Sequence, residues 1–307
     1  MRDLKSDIRE AIQGEIRFDE PMSAHTSLKI GGPVDIMVFP EDPVSLKNIL
    51  VAAQKENIPV FVIGAGTNLL ASDSRIEGIA VSLKAFRSIE YTKETDDEKT
   101  VLCVGAGTPL VTLINFACEG GYSGIEGLVG IPGYLGGAVF MNAGSFGTEI
   151  KDVIDSIAVM NMQGDISVMA GDELEFSYRH LALPESLLIL SANIVLKKDP
   201  PADVAARTRE FMNIKKNAQP LGVHSAGCVF KNPEADAAGK LIDAAGCKGM
   251  MVGGIEVSRL HANYFINKSG GTCAEFLQLM EIVKEKVMKC SGIELEPEIK
   301  IIGGVNQ

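Results

Sequence analysis

The six cysteines of this sequence form no C-x-x-C pair and no His/Cys cluster with metal-ligand spacing. Cys103, Cys118, Cys228, Cys247, Cys273 and Cys290 are scattered instead, which excludes the patterns of a zinc site or an iron–sulfur cluster, so no metal is expected. Unclustered thiols fit a reducing compartment. Basic residues are the minority, 29 Lys and Arg against 40 Asp and Glu, for a net charge of −11. That balance disfavours a nucleic-acid backbone and an anionic membrane surface as partners, but it leaves small anionic ligands open because these answer to local donors. The charged start Met-Arg-Asp-Leu-Lys-Ser-Asp-Ile-Arg-Glu has no apolar core of the export type, and a cytoplasmic location is expected. Neither a G-x-G-x-x-G fingerprint nor the lysine of a Walker A loop accompanies Gly64-Ala65-Gly66-Thr67-Asn68.

One segment of 22 residues, Gly127 to Thr148, lacks charge altogether and carries seven glycines. Its length suits a membrane span, but Pro132, Asn142 and the glycines do not. Glycine repeated in this way marks a backbone that must turn sharply or that a ligand must approach closely. A purely structural loop remains the alternative. The 307 residues suffice for about two or three domains with a substantial core.

Apolar periodicity predicts a short helix at Leu4–Ile12, a strand at Val34–Phe39, and a helix opened by Pro43 with Leu46, Ile49, Leu50 and Ala53 on one face. A strand at Val60–Ile63 runs into Gly64–Leu70, and another follows at Ile79–Leu83. Charged Lys93–Lys99 separates paired strands, the second at Val101–Val104, and a helix follows at Thr108–Cys118. Short alternating runs from Val153 to Leu196 indicate antiparallel sheet. Lys198-Asp199-Pro200-Pro201-Ala202-Asp203 reads as a linker, followed by helices at Val204–Lys216 and Thr272–Lys289 and a last strand at Ile299–Ile302 that needs a sheet to join. The expected division is 1–85, completed by 297–307, then 86–198 and 199–296.

Four groups of residues are candidates for chemistry. The backbone amides of Gly64–Asn68, with Thr67 and Asn68 as side-chain donors, can nest an anion. Tyr178-Arg179 puts an aromatic and a planar guanidinium fork at a strand end, suited to a carboxylate or to a surface ion pair. Small residues flank the thiol in Ser225-Ala226-Gly227-Cys228, with Lys231 and Asn232 beyond it. Cys228 is either a buried structural cysteine or an exposed nucleophile, ligand or acid. Glu298 enters an apolar strand, where partial burial would raise its pKa toward that of a useful acid.

Taken together, Thr26–Gly32, Gly64–Leu70, Gly130–Gly147, Tyr178-Arg179, Ala226–Pro233, His261–Asn267 and Leu295–Glu298 resemble the UDP-N-acetylenolpyruvoylglucosamine reductase family in order and spacing, over nearly the whole chain. The resemblance implies an α+β protein: a vanillyl-alcohol-oxidase-type FAD-binding fold of two subdomains (1–85 and 86–198) plus a third α+β substrate-binding domain, in the shorter class of these enzymes. It implies noncovalent FAD held by Gly64, Ala65, Gly66, Thr67, Asn68 and Leu69. From the second loop it adds Gly130, Ile131, Gly133, Gly136, Gly137, Asn142, Ala143 and Gly144. NADPH would be the hydride donor and UDP-N-acetylglucosamine enolpyruvate the substrate, reduced to UDP-N-acetylmuramate for peptidoglycan. The catalytic set implied is Arg179 at the carboxylate or enolate, Cys228 as the proton donor to C2, where many members have serine, and Glu298 in support of protonation. Tyr178, Lys231 and Asn232 would bind substrate, with Lys215 or Lys216 replacing a basic residue at position 218, which is alanine here. A monomer is expected. Two other readings compete: a different FAD-dependent sugar oxidoreductase of the same fold, and a non-catalytic sugar-nucleotide-binding protein.

Overall fold

The computed structural model describes residues 13–94 and 98–304, so the helix expected at Leu4–Ile12 lies outside the described residues. Its contacts divide the chain into two units: Met1–Arg17, Ile36–Ala65 and Gly78–Lys215 in the first, and Phe18–Asp35, Gly66–Glu77 and Lys216–Gln307 in the second.

In the first unit, the helix Pro43–Lys55 starts where proline fits best, at the first helical position, behind Asp42, whose carboxylate accepts from the Ser45 amide at 2.8 Å. Leu46, Ile49, Leu50 and Ala53 are fully buried on its inner face. The strands Val60–Ile63 and Ile76–Ser82 pair in parallel, Val60 opposite Ile79 and Ile63 opposite Ser82. They belong to a sheet ordered Gly14–Pro21, Pro33–Pro40, Ile76–Ser82, Val60–Ile63.

A larger antiparallel sheet follows, ordered Ile166–Ala170, Ile154–Met160, Leu188–Lys198, Lys99–Gly105, Ile89–Glu94, with Tyr122–Ser123 beside the far end of the long central strand. Alternate residues of three strands, Leu102 and Val104, Ile157 and Val159, and Ala192 and Ile194, are buried against the helices Leu110–Gly120 and Leu135–Phe140. Burial of every second residue is what period-two patterning dictates, and among the intervening residues Val101, Met160 and Ile189 are buried as well. Each large apolar side chain so buried contributes about 1.5–3 kcal/mol relative to exposure.

The segment expected as a linker opens a helix instead. Pro201 begins a helix that runs to Ala218, while the Asp199 amide donates to Gly121 O at 2.8 Å. Arg207, two turns in, bonds Asp199 and the buried Glu126, at 2.5 and 2.7 Å. Prolines that look like a chain break thus pre-set the first turn of a helix.

In the second unit, Leu28, Ile30 and Leu70 share one apolar core with Phe230, Phe265, Phe276, Leu279, Val283 and Leu295. The helix Cys273–Ser291 forms one wall, begun by a capping box between Thr272 and Glu275 and ended by Gly292 at φ 70°. Asp73 adds a carboxylate that accepts from the Cys273 and Ala274 amides at 2.8 and 3.1 Å. Buried Asn267 donates to Leu28 O at 2.9 Å, tying the segment around residue 28 to the antiparallel strands Ile255–Val257 and Phe265–Asn267. The last strand, Lys300–Ile302, pairs in parallel with Leu69–Ala71. No helix among the described residues is long and apolar enough to cross a membrane.

Candidate active site

Within the first unit, the glycine-rich loop is folded back on the sheet by its own main chain. Leu110 N donates to Gly133 O at 3.0 Å, Leu135 N to Thr108 O at 2.9 Å and Gly136 N to Ala106 O at 2.8 Å. A Cβ on Gly136 would come within 3.0 Å of the Ala106 Cβ, so close packing accounts for that glycine. Gly137 is different: it is exposed, is not left-handed, and a Cβ there would meet no protein atom within 4 Å. The same holds for Gly64 at the end of Val60–Ile63. At both positions the protein leaves room for a side chain that the sequence withholds. Gly137 keeps that bareness inside a helix, where glycine is less favourable than alanine by about 1 kcal/mol.

Asn142, expected at the cofactor, is fully buried at φ 40° and acts as a pin. Its amide donates to Ser177 O at 3.0 Å and to Glu149 Oε2 at 3.2 Å, and its oxygen accepts from Lys151 N at 3.3 Å. Ala143 follows it with its amide on Ala138 O, and Ile131 N donates to Leu128 O. Ser177 belongs to a hairpin in which it pairs with His180, leaving Tyr178 and Arg179 as the turn. Arg179 has φ 56°, a left-handed conformation rare for a non-glycine residue. Its Nη2 donates to Gly144 O at 2.8 Å, and its guanidinium lies 5.2 Å from the Tyr178 ring centroid. Loop and hairpin are therefore joined twice, and the guanidinium is held rather than trailing in solvent. Glu149 beside it has its carboxyl held below the usual range, chiefly by Lys151, then by Asn142, with Arg179 adding to both.

In the second unit, Cys228 stands opposite Tyr264 in an antiparallel bridge, and Phe230 stands opposite Pro297. Glu298 N donates to Val229 O at 2.8 Å and Lys231 N to Glu296 O at 2.9 Å, so the thiol segment and the Glu298 segment run side by side. Cys228 and Glu298 are both half-buried. Asn263, 1 % exposed, clamps the middle of this arrangement: its oxygen accepts from Phe230 N at 2.9 Å and its Nδ2 donates to Phe230 O at 2.8 Å. Sequence reasoning assigned no role to Tyr264. Burial, reinforced by Cys228 and Glu298, pushes its phenol well above the usual range. The signal available was its place in His261–Asn267, which matches the resembled family.

Lys231 pairs with exposed Glu296 at 3.2 Å, an ion pair weak enough to exchange for a ligand phosphate. Asn232 Oδ1 accepts from Ala238 N at 3.0 Å, which leads the chain into the helix Ala238–Ala244. Gly66, at φ 65°, lies against the chain at His25 and accepts from both the amide and the hydroxyl of Ser27. Half-buried Thr67 and Leu69 flank Asn68, whose amide donates to Glu298 O at 3.3 Å while its own carbonyl accepts from Lys300 N. One residue expected at the cofactor is thereby bonded to the main chain of one expected in catalysis.

Residues 219–302 match the family model described as the UDP-N-acetylenolpyruvoylglucosamine reductase C-terminal domain, and residues 34–170 match an FAD binding domain. A UDP-N-acetylenolpyruvoylglucosamine reductase of Geotalea uraniireducens is 38 % identical over 301 residues, 98 % of either chain. One from Rubrobacter xylanophilus is 40 % identical over 94 % of this chain and 95 % of its own. The chain belongs to the UDP-N-acetylenolpyruvoylglucosamine reductase family. The crystal structure of such a reductase from Thermus caldophilus superposes with a TM-score of 0.79 at 32 % identity, covering 95 % of this chain and all of that one. The α+β architecture expected from the resemblance, a vanillyl-alcohol-oxidase-type FAD-binding part with a separate substrate-binding part, is thereby borne out. The FAD-binding match spans both glycine loops, and the bare backbone at Gly64 and Gly137 fits such a group. Cys228, Lys231, Asn232, Tyr264 and Glu298 all fall within the reductase C-terminal match, whereas Arg179 lies in neither.

Proposed function

We propose that the chain reduces UDP-N-acetylglucosamine enolpyruvate to UDP-N-acetylmuramate in peptidoglycan precursor synthesis, using noncovalently held FAD with NADPH as the electron source. The observation that carries this reading is the pairing of half-buried Cys228 and Glu298 on adjacent segments of a domain that matches the reductase C-terminal model. When bound, FAD supplies the hydride for C3 of the enolpyruvyl group. The backbone of Gly64–Leu69 and Gly130–Gly144 would hold it.

Cys228 holds the proton for C2. An ordinary thiol, with a pKa of about 8.5, is a far stronger acid than the serine hydroxyl used by many members, so donation survives the exchange. Glu298, on the segment beside the thiol, supports its return to the protonated state. Arg179 takes the role of offsetting the negative charge that grows at the substrate carboxylate as C3 is reduced; a guanidinium already fixed by Gly144 O needs little reorganisation for it. Tyr178, Lys231 and Asn232 bind and orient the nucleotide. Six free cysteines fit a reducing compartment, and the enzyme works in the cytoplasm as a monomer in this reading.

The test is steady-state turnover. NADPH oxidation should require the enolpyruvyl nucleotide, and the product should be heavier than the substrate by one hydride and one proton. NADPH oxidation that proceeds equally without the nucleotide would overturn the proposal.

A further inference from the structure

The later turns of the helix Pro201–Ala218 carry an arrangement that the roles above do not use. Phe211 and Lys215 stand at i and i+4, the spacing that puts two side chains on one helix face. Lys215 is only 4 % exposed, and its Nζ donates to the Val129 carbonyl at 2.7 Å. The same ammonium lies 5.5 Å from the centroid of the Phe146 ring, which stacks on Phe211 with centroids 4.6 Å and planes 17° apart. Next along the helix, Met212 joins the Lys215 stem against Gly130, where a Cβ would come within 3.3 Å of the Met212 sulfur and 3.1 Å of Lys215 Cδ. Val129 and Gly130 lead into the glycine-rich loop and Phe146 leads out of it. One helix face therefore grips both ends.

Each contact answers a physical demand. An ammonium this buried is rare, because removing it from water is costly unless acceptors replace the water. The Val129 carbonyl and the face of Phe146 do so. Phe146 has φ 52°, a conformation that a non-glycine residue keeps only where its surroundings over-determine it. Its stack on Phe211 supplies that constraint. Gly130, at φ 76°, gives the turn that delivers the preceding carbonyl to the lysine.

We infer that Lys215 is a positioning residue which, with Phe211 and Phe146, fixes the Gly130–Gly147 loop in its flavin-binding shape; this rests on the reading of that loop as part of the FAD site. The ammonium then serves the loop, which leaves Lys216 of the two lysines offered in place of a basic residue at position 218.

The test strips FAD from the wild-type, Lys215→Met, Lys215→Arg and Phe211→Leu proteins and titrates it back, following flavin fluorescence. Losing a charge-assisted hydrogen bond that orders the loop should raise the FAD dissociation constant about 10–100-fold in Lys215→Met. Lys215→Arg, which can still donate to Val129, should recover most of that loss. Phe211→Leu should weaken FAD in the same direction, and it carries the test alone if Lys215→Met does not fold. At saturating FAD the KM for the enolpyruvyl nucleotide should move less than about threefold in Lys215→Met. Unchanged FAD affinity in Lys215→Met and Phe211→Leu would overturn the clamp, as would a raised nucleotide KM with FAD affinity unaltered, the mark of a direct diphosphate contact. A wild-type apoprotein that takes up no FAD would instead overturn the flavin reading on which the clamp stands.

Discussion

Replacing Asn263 by alanine should loosen the Cys228 segment from inside the second unit. The native side chain closes a ring with Phe230, accepting from its amide at 2.9 Å and donating to its carbonyl at 2.8 Å, and neither residue is more than 1 % exposed. Alanine removes both bonds and leaves two buried backbone groups without those partners. At about 1–3 kcal/mol for each unsatisfied group, less whatever a water entering the space restores, the loss is about 2–4 kcal/mol. That is a large share of the roughly 5–15 kcal/mol that holds a typical domain together.

Asn263→Asp sharpens the prediction. Its carboxylate can still accept from Phe230 N but opposes the Phe230 carbonyl with a second acceptor, so the folded state favours the protonated acid and its pKa rises above the unfolded value of about 3.9. For an acid whose folded pKa is raised, the ionisation cost is absent below the unfolded pKa and complete above the folded one. Asn263→Asp should therefore come closest to wild-type stability near pH 4 and fall furthest behind near about pH 7. Urea unfolding at several pH values measures both effects, and the rate of the nucleotide-dependent half-reaction shows whether the displaced thiol also slows chemistry. A loss below about 1 kcal/mol in Asn263→Ala, with no pH dependence in Asn263→Asp, would refute the clamp.

Cys228→Ala should slow the nucleotide-dependent half-reaction by about 10²–10⁴ and spare flavin reduction, while Cys228→Ser recovers much of the loss; rapid-mixing absorbance separates the two steps. Alkylation near neutral pH should inactivate through Cys228 and leave Cys273 unmodified, since burial and then Asp73 push the Cys273 thiol up to about 11; peptide mass mapping reads the sites. Asp73→Ala removes two amide acceptors and a negative charge from the start of the helix Cys273–Ser291, which should cost about 1–2 kcal/mol in thermal unfolding, with Asp73→Asn restoring part. Burial, and then the positive charge of Lys248, hold the His261 imidazole below its ordinary value despite an opposing backbone hydrogen bond. Its contribution to stability is therefore intact above the unfolded pKa of about 6.5 and lost as pH falls through the lower folded value, and His261→Gln should flatten that slope.

Local chemistry was legible wherever one residue type answers one demand. Pro43 marked the start of the helix Pro43–Lys55, and glycines marked the bare backbone at Gly64 and Gly137. Long-range pairing was not. The core that joins Leu28 and Leu70 to residues beyond 225 leaves no local mark, because any apolar strand satisfies the same pattern. Pro200-Pro201 signals a break whether it separates domains or opens a helix, and only the Gly121 carbonyl and Arg207 decide which. Asn142 and Asn232 were visible as polar residues in ligand-like settings, but their main-chain bonds, from Asn142 to Ser177 O and from Ala238 N to Asn232, were not. Tyr264 was missed because its position opposite Cys228 is set by a bridge between segments far apart in sequence.

Anaerobic mixing of the NADPH-reduced enzyme with UDP-N-acetylglucosamine enolpyruvate tests the proposed reaction most directly. The oxidised flavin spectrum should return only when the nucleotide is present, in proportion to the UDP-N-acetylmuramate formed. A flavin that NADPH bleaches but the enolpyruvyl nucleotide leaves reduced would contradict it.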